Sequence, residues 1–255
     1  MGEIISKNCI FIDFDGVLFN TVKEAYVVTS IAMNKYKCID DVVFDTDYFK
    51  YFLKYRYLVG PAWNYKYIWE LLSLKKLNGF EQLYQNLVSN AQQSDYYKFE
   101  NLFFSTREKI KLNEFDKWIG LNESYDFLRL IKHNLIKNNE FFIIVTTKDK
   151  ATVKKLLNLE GIAMSDNSIY DKDDFEKFKN KSIIIDSIMK KRNIDKAIFV
   201  DDNLEHLNKC KKILNLETYE ARWGYSASKK NIGFIEMNNV AVKINNLLGK
   251  IQCME

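Results

Sequence analysis

Asp13 and Asp15 stand two positions apart at the end of an apolar run, Cys9-Ile10-Phe11-Ile12, and Gly16 follows at once. Such a run reads as a buried strand of a parallel sheet, which is covered on both faces and needs no polar alternation. In an extended chain residues i and i+2 point to the same side. Both carboxylates therefore face one small space at the strand's carboxyl end, where open α/β sheets bind ligands. Two carboxylates held so close repel, and either a shared proton or a bound cation relieves them. A plain strand ending in a polar turn, with Asp-Gly as punctuation, accounts for the stretch equally well.

Two later apolar runs also end in reactive groups. Phe141-Phe142-Ile143-Ile144-Val145 leads into Thr146-Thr147, and Ala197–Val200 leads into Asp201-Asp202-Asn203. Lys181 opens the helix before the second of these. In a parallel sheet such strand ends lie on one rim, which gathers carboxylates, a hydroxyl and an ammonium in one crevice. That set suits a hard cation with oxygen ligands, above all Mg²⁺. A phosphoryl group fits the same place, because a lysine and Mg²⁺ neutralise it while a carboxylate attacks phosphorus.

The elements that must position these groups follow from periodicity. From about Asp45 to Trp118 a helical spacing persists, with helices expected near Tyr48–Leu58, Ala62–Lys76, Phe80–Ser94 and Phe99–Trp118. Gly60-Pro61 separates the first two. Aromatic residues crowd this segment and form the core of a small bundle. From Asn122 strands and helices alternate, the sign of βαβ units. Helices are expected over Asn122–Asn138, Lys150–Leu159, Lys181–Arg192, Leu204–Leu214 and Asn238–Leu248. Strands are expected over Glu140–Thr147, near Ser168–Tyr170, over Ala197–Val200 and, at an edge, over Glu217–Arg222. The first strand thus belongs with the second half of the chain. The helical stretch between them is an insertion above the carboxyl ends of the strands, placed to act as a lid.

Composition narrows the function classes. The chain has 255 residues, 47% of them hydrophobic, enough for a sizeable core. Lys+Arg 38 against Asp+Glu 34 leaves a net charge of +4, spread over patches such as Lys190-Lys191-Arg192, Lys211-Lys212 and Lys229-Lys230. Dispersed charge of this kind reads as solvated helix faces rather than a nucleic-acid footprint. Cys9, Cys38, Cys210 and Cys253 show no paired spacing, as expected of reduced thiols in a cytoplasmic protein. No 18-residue apolar span or signal peptide is visible, and no P-loop or GxGxxG. His133 and His206 are the only histidines, which leaves little material for a histidine triad. His206 itself reads as a helix-surface residue, and Lys148 as a competitor of Lys181 or a surface residue after the strand, alongside Lys172, Lys177 and Lys179.

Asp13-Phe14-Asp15-Gly16-Val17-Leu18-Phe19, Thr146, Lys181 and Val200-Asp201-Asp202 resemble the four ordered motifs of the haloacid dehalogenase superfamily. The insertion resembles its helical cap of the C1 type, and Ala221-Arg222-Trp223-Gly224-Tyr225 resembles the late loop of the phosphoglycolate-phosphatase-like branch. The resemblance covers Ser6–Val22 and Leu121–Leu248, not the detail of the cap. It implies a Rossmann-like α/β core over residues 1–19 and 119–255 and an all-helical cap over 20–118. It further implies that Asp13 is the nucleophile and Asp15 the general acid and base. Thr146, with Thr147 as the alternative, binds the phosphoryl oxygens, and Lys181 screens charge. Asp13, Asp202 and the backbone carbonyl of Asp15 hold Mg²⁺, with Asp201 as a second candidate. In two places the chain departs from the pattern. His206 stands where related phosphatases carry a second acid, and Asn20 where Asp is frequent.

The expected activity is Mg²⁺-dependent hydrolysis of a small phosphorylated metabolite through an aspartyl-phosphate. A phosphomutase using the same intermediate is the alternative among enzymes, and a binding or regulatory protein is the alternative outside them. Arg56 and Lys66, among the cap's aromatics, are candidates to hold a substrate anion.

Overall fold

The computed structural model describes residues 7–226 and 234–252; Met1–Ser6, Lys229-Lys230 and Cys253 lie outside the described residues. The first strand, β1 (Asn8–Ile12), is buried throughout, and a short strand β2 (Phe19–Asn20) follows the Asp-Gly turn. The described residues form two compact units, one made of those up to Asn20 and from Ser124 onward, the other of Thr21–Glu123.

The second unit is helical: α1 (Val22–Ala32), α2 (Asp47–Tyr55), α3 (Asn64–Ser73), α4 (Phe80–Ser89), α5 (Gln93–Asn113) and α6 (Phe115–Ile119). Its aromatics form the core that their spacing predicts. Tyr26 meets Phe44, Phe49, Phe52 and Trp69, while Phe52 and Phe103 each stack with Tyr65. A buried ion pair crosses this core, with Arg107 donating to Glu24 through Nε at 2.5 Å and Nη2 at 3.1 Å. The helices expected over Phe80–Ser94 and Phe99–Trp118 divide elsewhere. α4 stops at Ser89 because Asn90 turns its side chain onto the Asn86 carbonyl, a local bond that competes with the helix.

The short strand β3 (Glu123–Ser124) pairs with β2, and the first unit, which resumes at Ser124, continues with α7 (Asp126–Lys137) and β4 (Phe142–Val145). Tyr125 donates its N–H to the Leu18 carbonyl, so α7 begins later than its apolar pattern. Then come α8 (Lys150–Leu159), β5 (Ile169–Tyr170), α9 (Lys172–Phe178), α10 (Lys181–Arg192), β6 (Lys196–Asp201), α11 (Leu204–Cys210), β7 (Leu216–Glu220) and α12 (Phe234–Gln252). The helix α9 has no counterpart in the sequence reading. Its seven residues carry too few apolar positions to show a period, and it starts on a capping box at Asp171.

Five strands pair in the order β5-β4-β1-β6-β7, all parallel. Alternate residues of the central strands divide between the faces. Cys9, Phe11, Ile143, Val145, Ala197 and Phe199 pack with Ile184, Ile185 and Ile188 of α10 and Leu207 and Cys210 of α11. The residues between them, such as Ile10, Ile144 and Ile198, are buried on the opposite face. Covering both faces is why these strands read as unbroken apolar runs.

Candidate active site

Register decides where the polar residues go. Ile12 pairs with Val200, and the Asp13 N–H donates to the Val200 carbonyl at 2.9 Å. Asp13 and Asp201 thus continue the alternation of Phe11 and Phe199 and emerge side by side on the face covered by α10 and α11. Lys181, the first residue of α10 after its Asn180 cap, reaches that point from above the sheet. Its Nζ lies 2.8 Å from Asp13 Oδ2 and 2.8 Å from Asp201 Oδ2, and all three side chains are buried.

One ammonium between two carboxylates leaves a surplus of negative charge. Burial pushes the Asp13 carboxyl up to about 6; Lys181 pulls it down, but Asp201 adds repulsion. Burial acts on Asp201 as well, but there Lys181 and His206 outweigh it and hold the group at about 2. Lys181 loses hydration by burial, yet its two carboxylates hold it firmly protonated, above the usual lysine range.

Asp202, the first residue past β6, makes contacts separate from those of Asp201. Its Oδ2 accepts the Tyr225 N–H at 2.7 Å and packs on Gly16. A Cβ at position 16 would lie 2.1 Å from that oxygen, and Gly16 holds φ +82°. Gly224 is as tight, since a Cβ there would meet the Gly16 carbonyl at 2.0 Å. Trp223 donates to the Val17 carbonyl and the Tyr225 hydroxyl to Asn20 Oδ1. The loop after β7 therefore clamps the Asp-Gly turn to Asp202. Gly16→Ala is expected to combine left-handed strain of about 1–2 kcal/mol with displacement of the Asp202 carboxylate. The variant should fold, with a modestly lower melting temperature and a loss of activity of at least about tenfold, read by thermal melts and initial rates together.

The other strand end contributes Thr146, buried, whose N–H continues the ladder to the Tyr170 carbonyl and whose Oγ1 accepts the Lys148 N–H at 3.2 Å. Thr147 beside it is half-buried. Of the two places the sequence allows Lys148, a competitor of Lys181 or a surface residue, the second does not hold. Lys148 is buried, and its Nζ lies 3.2 Å from Asp15 Oδ1. His206 is likewise not a helix-surface residue: its side chain is largely buried, with Nδ1 3.1 Å from Asp201 Oδ2. A first-turn position on α11 follows so closely on the strand end that the imidazole faces back toward it.

Asp13, Asp15, Thr146, Lys148, Lys181, Asp201, Asp202 and His206 all belong to the sheet unit. Arg56 belongs to the helical unit, buried, donating to the Val59 carbonyl at 3.1 Å and lying over the Tyr65 ring. Lys66, in the same unit, faces Glu70 at 3.7 Å.

Asp13, Asp201 and His206 offer ligand atoms within 4.8 Å of one another. The Lys181 ammonium already stands between the two carboxylates, and both Asp201 oxygens are engaged, Oδ1 by the Asn203 N–H at 2.8 Å. The surplus negative charge about Asp13 and Asp201 is of the kind a hard cation offsets.

An open parallel sheet with its polar groups collected at the carboxyl strand ends is the arrangement in which α/β enzymes handle ligands. The chain belongs to the haloacid dehalogenase-like hydrolase family, whose model matches residues 7–207. Among solved structures it resembles a predicted phosphatase from Clostridium acetobutylicum (16% identity, TM-score 0.55, 94% of this chain and 99% of that one). It also resembles a predicted phosphoglycolate phosphatase from Haemophilus somnus (13%, 0.58, 96% and 100%). A third is a haloacid dehalogenase-like hydrolase from Streptococcus pneumoniae (12%, 0.53, 95% and 98%). At these identities the likeness is one of fold. No curated protein matches the chain. Among the described residues no helix is long and apolar enough to cross a membrane.

Proposed function

We propose that the protein is a Mg²⁺-dependent phosphatase that hydrolyses a small phosphorylated metabolite through an aspartyl-phosphate on Asp13. The observation that carries this reading is Asp13 itself, a buried carboxylate in surplus charge, 2.8 Å from the Lys181 ammonium, with Asp15 two residues on. An Asp13 oxygen attacks phosphorus as the bond to the leaving oxygen breaks, and Asp15 gives that oxygen its proton. Asp15 then takes a proton from water, whose oxygen attacks phosphorus, releasing inorganic phosphate and restoring Asp13. Thr146, with Thr147 beside it, donates to the phosphoryl oxygens, and Lys181 offsets their charge. Asp13, Asp202 and the Asp15 carbonyl would hold Mg²⁺, which supplies the remaining positive charge that a phosphate dianion needs among carboxylates. Asp201 serves as the counter-ion of Lys181 rather than as a metal ligand.

The helical unit Thr21–Glu123 is read as the cap that selects the leaving group. The solved phosphoglycolate phosphatase-like structure makes 2-phosphoglycolate a reasonable member of any substrate panel. Purified protein is expected to hydrolyse p-nitrophenyl phosphate with Mg²⁺, to stop in EDTA, and to resume when Mg²⁺ is restored. Folded protein that turns over nothing with any divalent cation would leave the binding-protein reading. Return of the phosphoryl group to a sugar phosphate, rather than release to water, would make it a mutase.

A further inference from the structure

We propose that His206 is a positioning residue for Lys181, acting through Asp201. The inference deepens the phosphatase reading and rests on it. A single ammonium sits 2.8 Å from each of two buried carboxylates, so Asp13 and Asp201 compete for it. The outcome of that competition depends on what else each carboxylate is given. Asp201 Oδ1 accepts the Asn203 N–H at 2.8 Å, which leaves Oδ2 facing both Lys181 and His206 Nδ1. A carboxylate only accepts hydrogen bonds, so the Nδ1 facing it carries the hydrogen. This second donor on Oδ2 weakens the pull of Asp201 on the ammonium and leaves Lys181 for Asp13 and the phosphoryl group.

The imidazole is held for this task. Asn203 caps α11, its Oδ1 accepting the N–H groups of Glu205 at 2.9 Å and His206 at 3.3 Å, and the Phe175 ring lies 6.2 Å from the imidazole. The side chain is 11% exposed, so water is a poor substitute for its N–H. Where related phosphatases carry an acid at this position, a carboxylate beside Asp201 would add negative charge to a site already in surplus. A donor is what the adjacent pair Asp201-Asp202 calls for.

The test compares His206→Ala, His206→Asn and His206→Gln with wild type, using p-nitrophenyl phosphate over a range of Mg²⁺ concentrations, with thermal melts of each protein. The Asn amide nitrogen stands near the position of Nδ1, whereas the Gln amide extends toward Nε2. His206→Ala is expected to lose about 10–100-fold in kcat at saturating Mg²⁺, the usual effect of losing an outer partner. Its KM and the Mg²⁺ concentration for half activation should stay near wild type. His206→Asn should recover most of the loss and His206→Gln should not. If the alanine variant fails to fold, the Asn and Gln variants alone decide. Equal activities of these two, or an unchanged kcat in His206→Ala, would overturn the inference while leaving the phosphatase reading intact. A loss confined to a raised Mg²⁺ requirement would also overturn it, by making His206 a metal ligand. Wild-type protein without metal-dependent turnover overturns both.

Discussion

Asp13→Asn is expected to abolish turnover and, in the same protein, to raise stability near neutral pH in the absence of metal. The loss follows from the proposed chemistry, since an amide is no nucleophile and no phosphoenzyme can form. The gain follows from charge. Lys181 stands between two buried carboxylates, and burial together with Asp201 raises the Asp13 carboxyl from 3.8 to about 6 in the folded protein. A group with a raised folded value contributes stability that is fully present below the unfolded value and lost as pH rises through the folded one. Asp13 therefore favours the fold most below about pH 4 and ceases to do so above about pH 6. A shift of that size corresponds to at most about 3 kcal/mol. The asparagine variant lacks this dependence, keeps the Lys181–Asp201 pair one-to-one, and should melt higher than wild type at pH 7.5 in EDTA. The difference should shrink toward pH 5. Melting curves at both pH values check it, and residual turnover or a lower melting temperature at pH 7.5 would contradict the assignment. A site that trades stability for reactivity in this way is a common signature of function.

Lys181→Met should do the opposite to stability while also removing activity. Methionine fills similar space but leaves Asp13 and Asp201 buried without their shared ammonium. Breaking a buried ion pair from one side costs about 3–5 kcal/mol, which in a chain of this size lowers the melting temperature by roughly 6–20 °C. Turnover should fall by about 10²–10³-fold or more, the scale of losing one preorganised charge partner. The double variant Lys181→Met, Asp13→Asn tells electrostatics from packing. Removing one carboxylate relieves the repulsion, so the double variant should be more stable than Lys181→Met alone. Two substitutions whose effects on stability merely add would mean that the groups are not coupled as their geometry requires.

The three strand ends were legible because a parallel sheet buried on both faces leaves apolar runs, and polar residues at the end of such a run stand out. Asp13 and Asp15, Thr146, and Asp201-Asp202 stand out that way, whereas Lys181, at the start of a helix, is one lysine among several that include Lys148, Lys172, Lys177 and Lys179. The element types of the α/β half follow from the same contrast between runs of two kinds. Boundaries were less legible where local hydrogen bonds override the period, as at Asn90, at Tyr125 before α7, and over the short helix α9. Other facts needed the tertiary structure. That β1 lies between β4 and β6, with Ile12 opposite Val200, is a matter of long-range pairing, and only this register sets Asp13 beside Asp201. The burial of Lys148 against Asp15 and of His206 against Asp201 escapes one-dimensional reading, because a lone lysine or histidine in a charged neighbourhood looks the same whether it faces water or a carboxylate. The contact of Gly16 with Asp202 and Gly224 joins positions about 190 and 210 residues apart. Local propensity and periodicity act over a few residues, whereas the balance of charge in this site is set by side chains that only the folded sheet brings together.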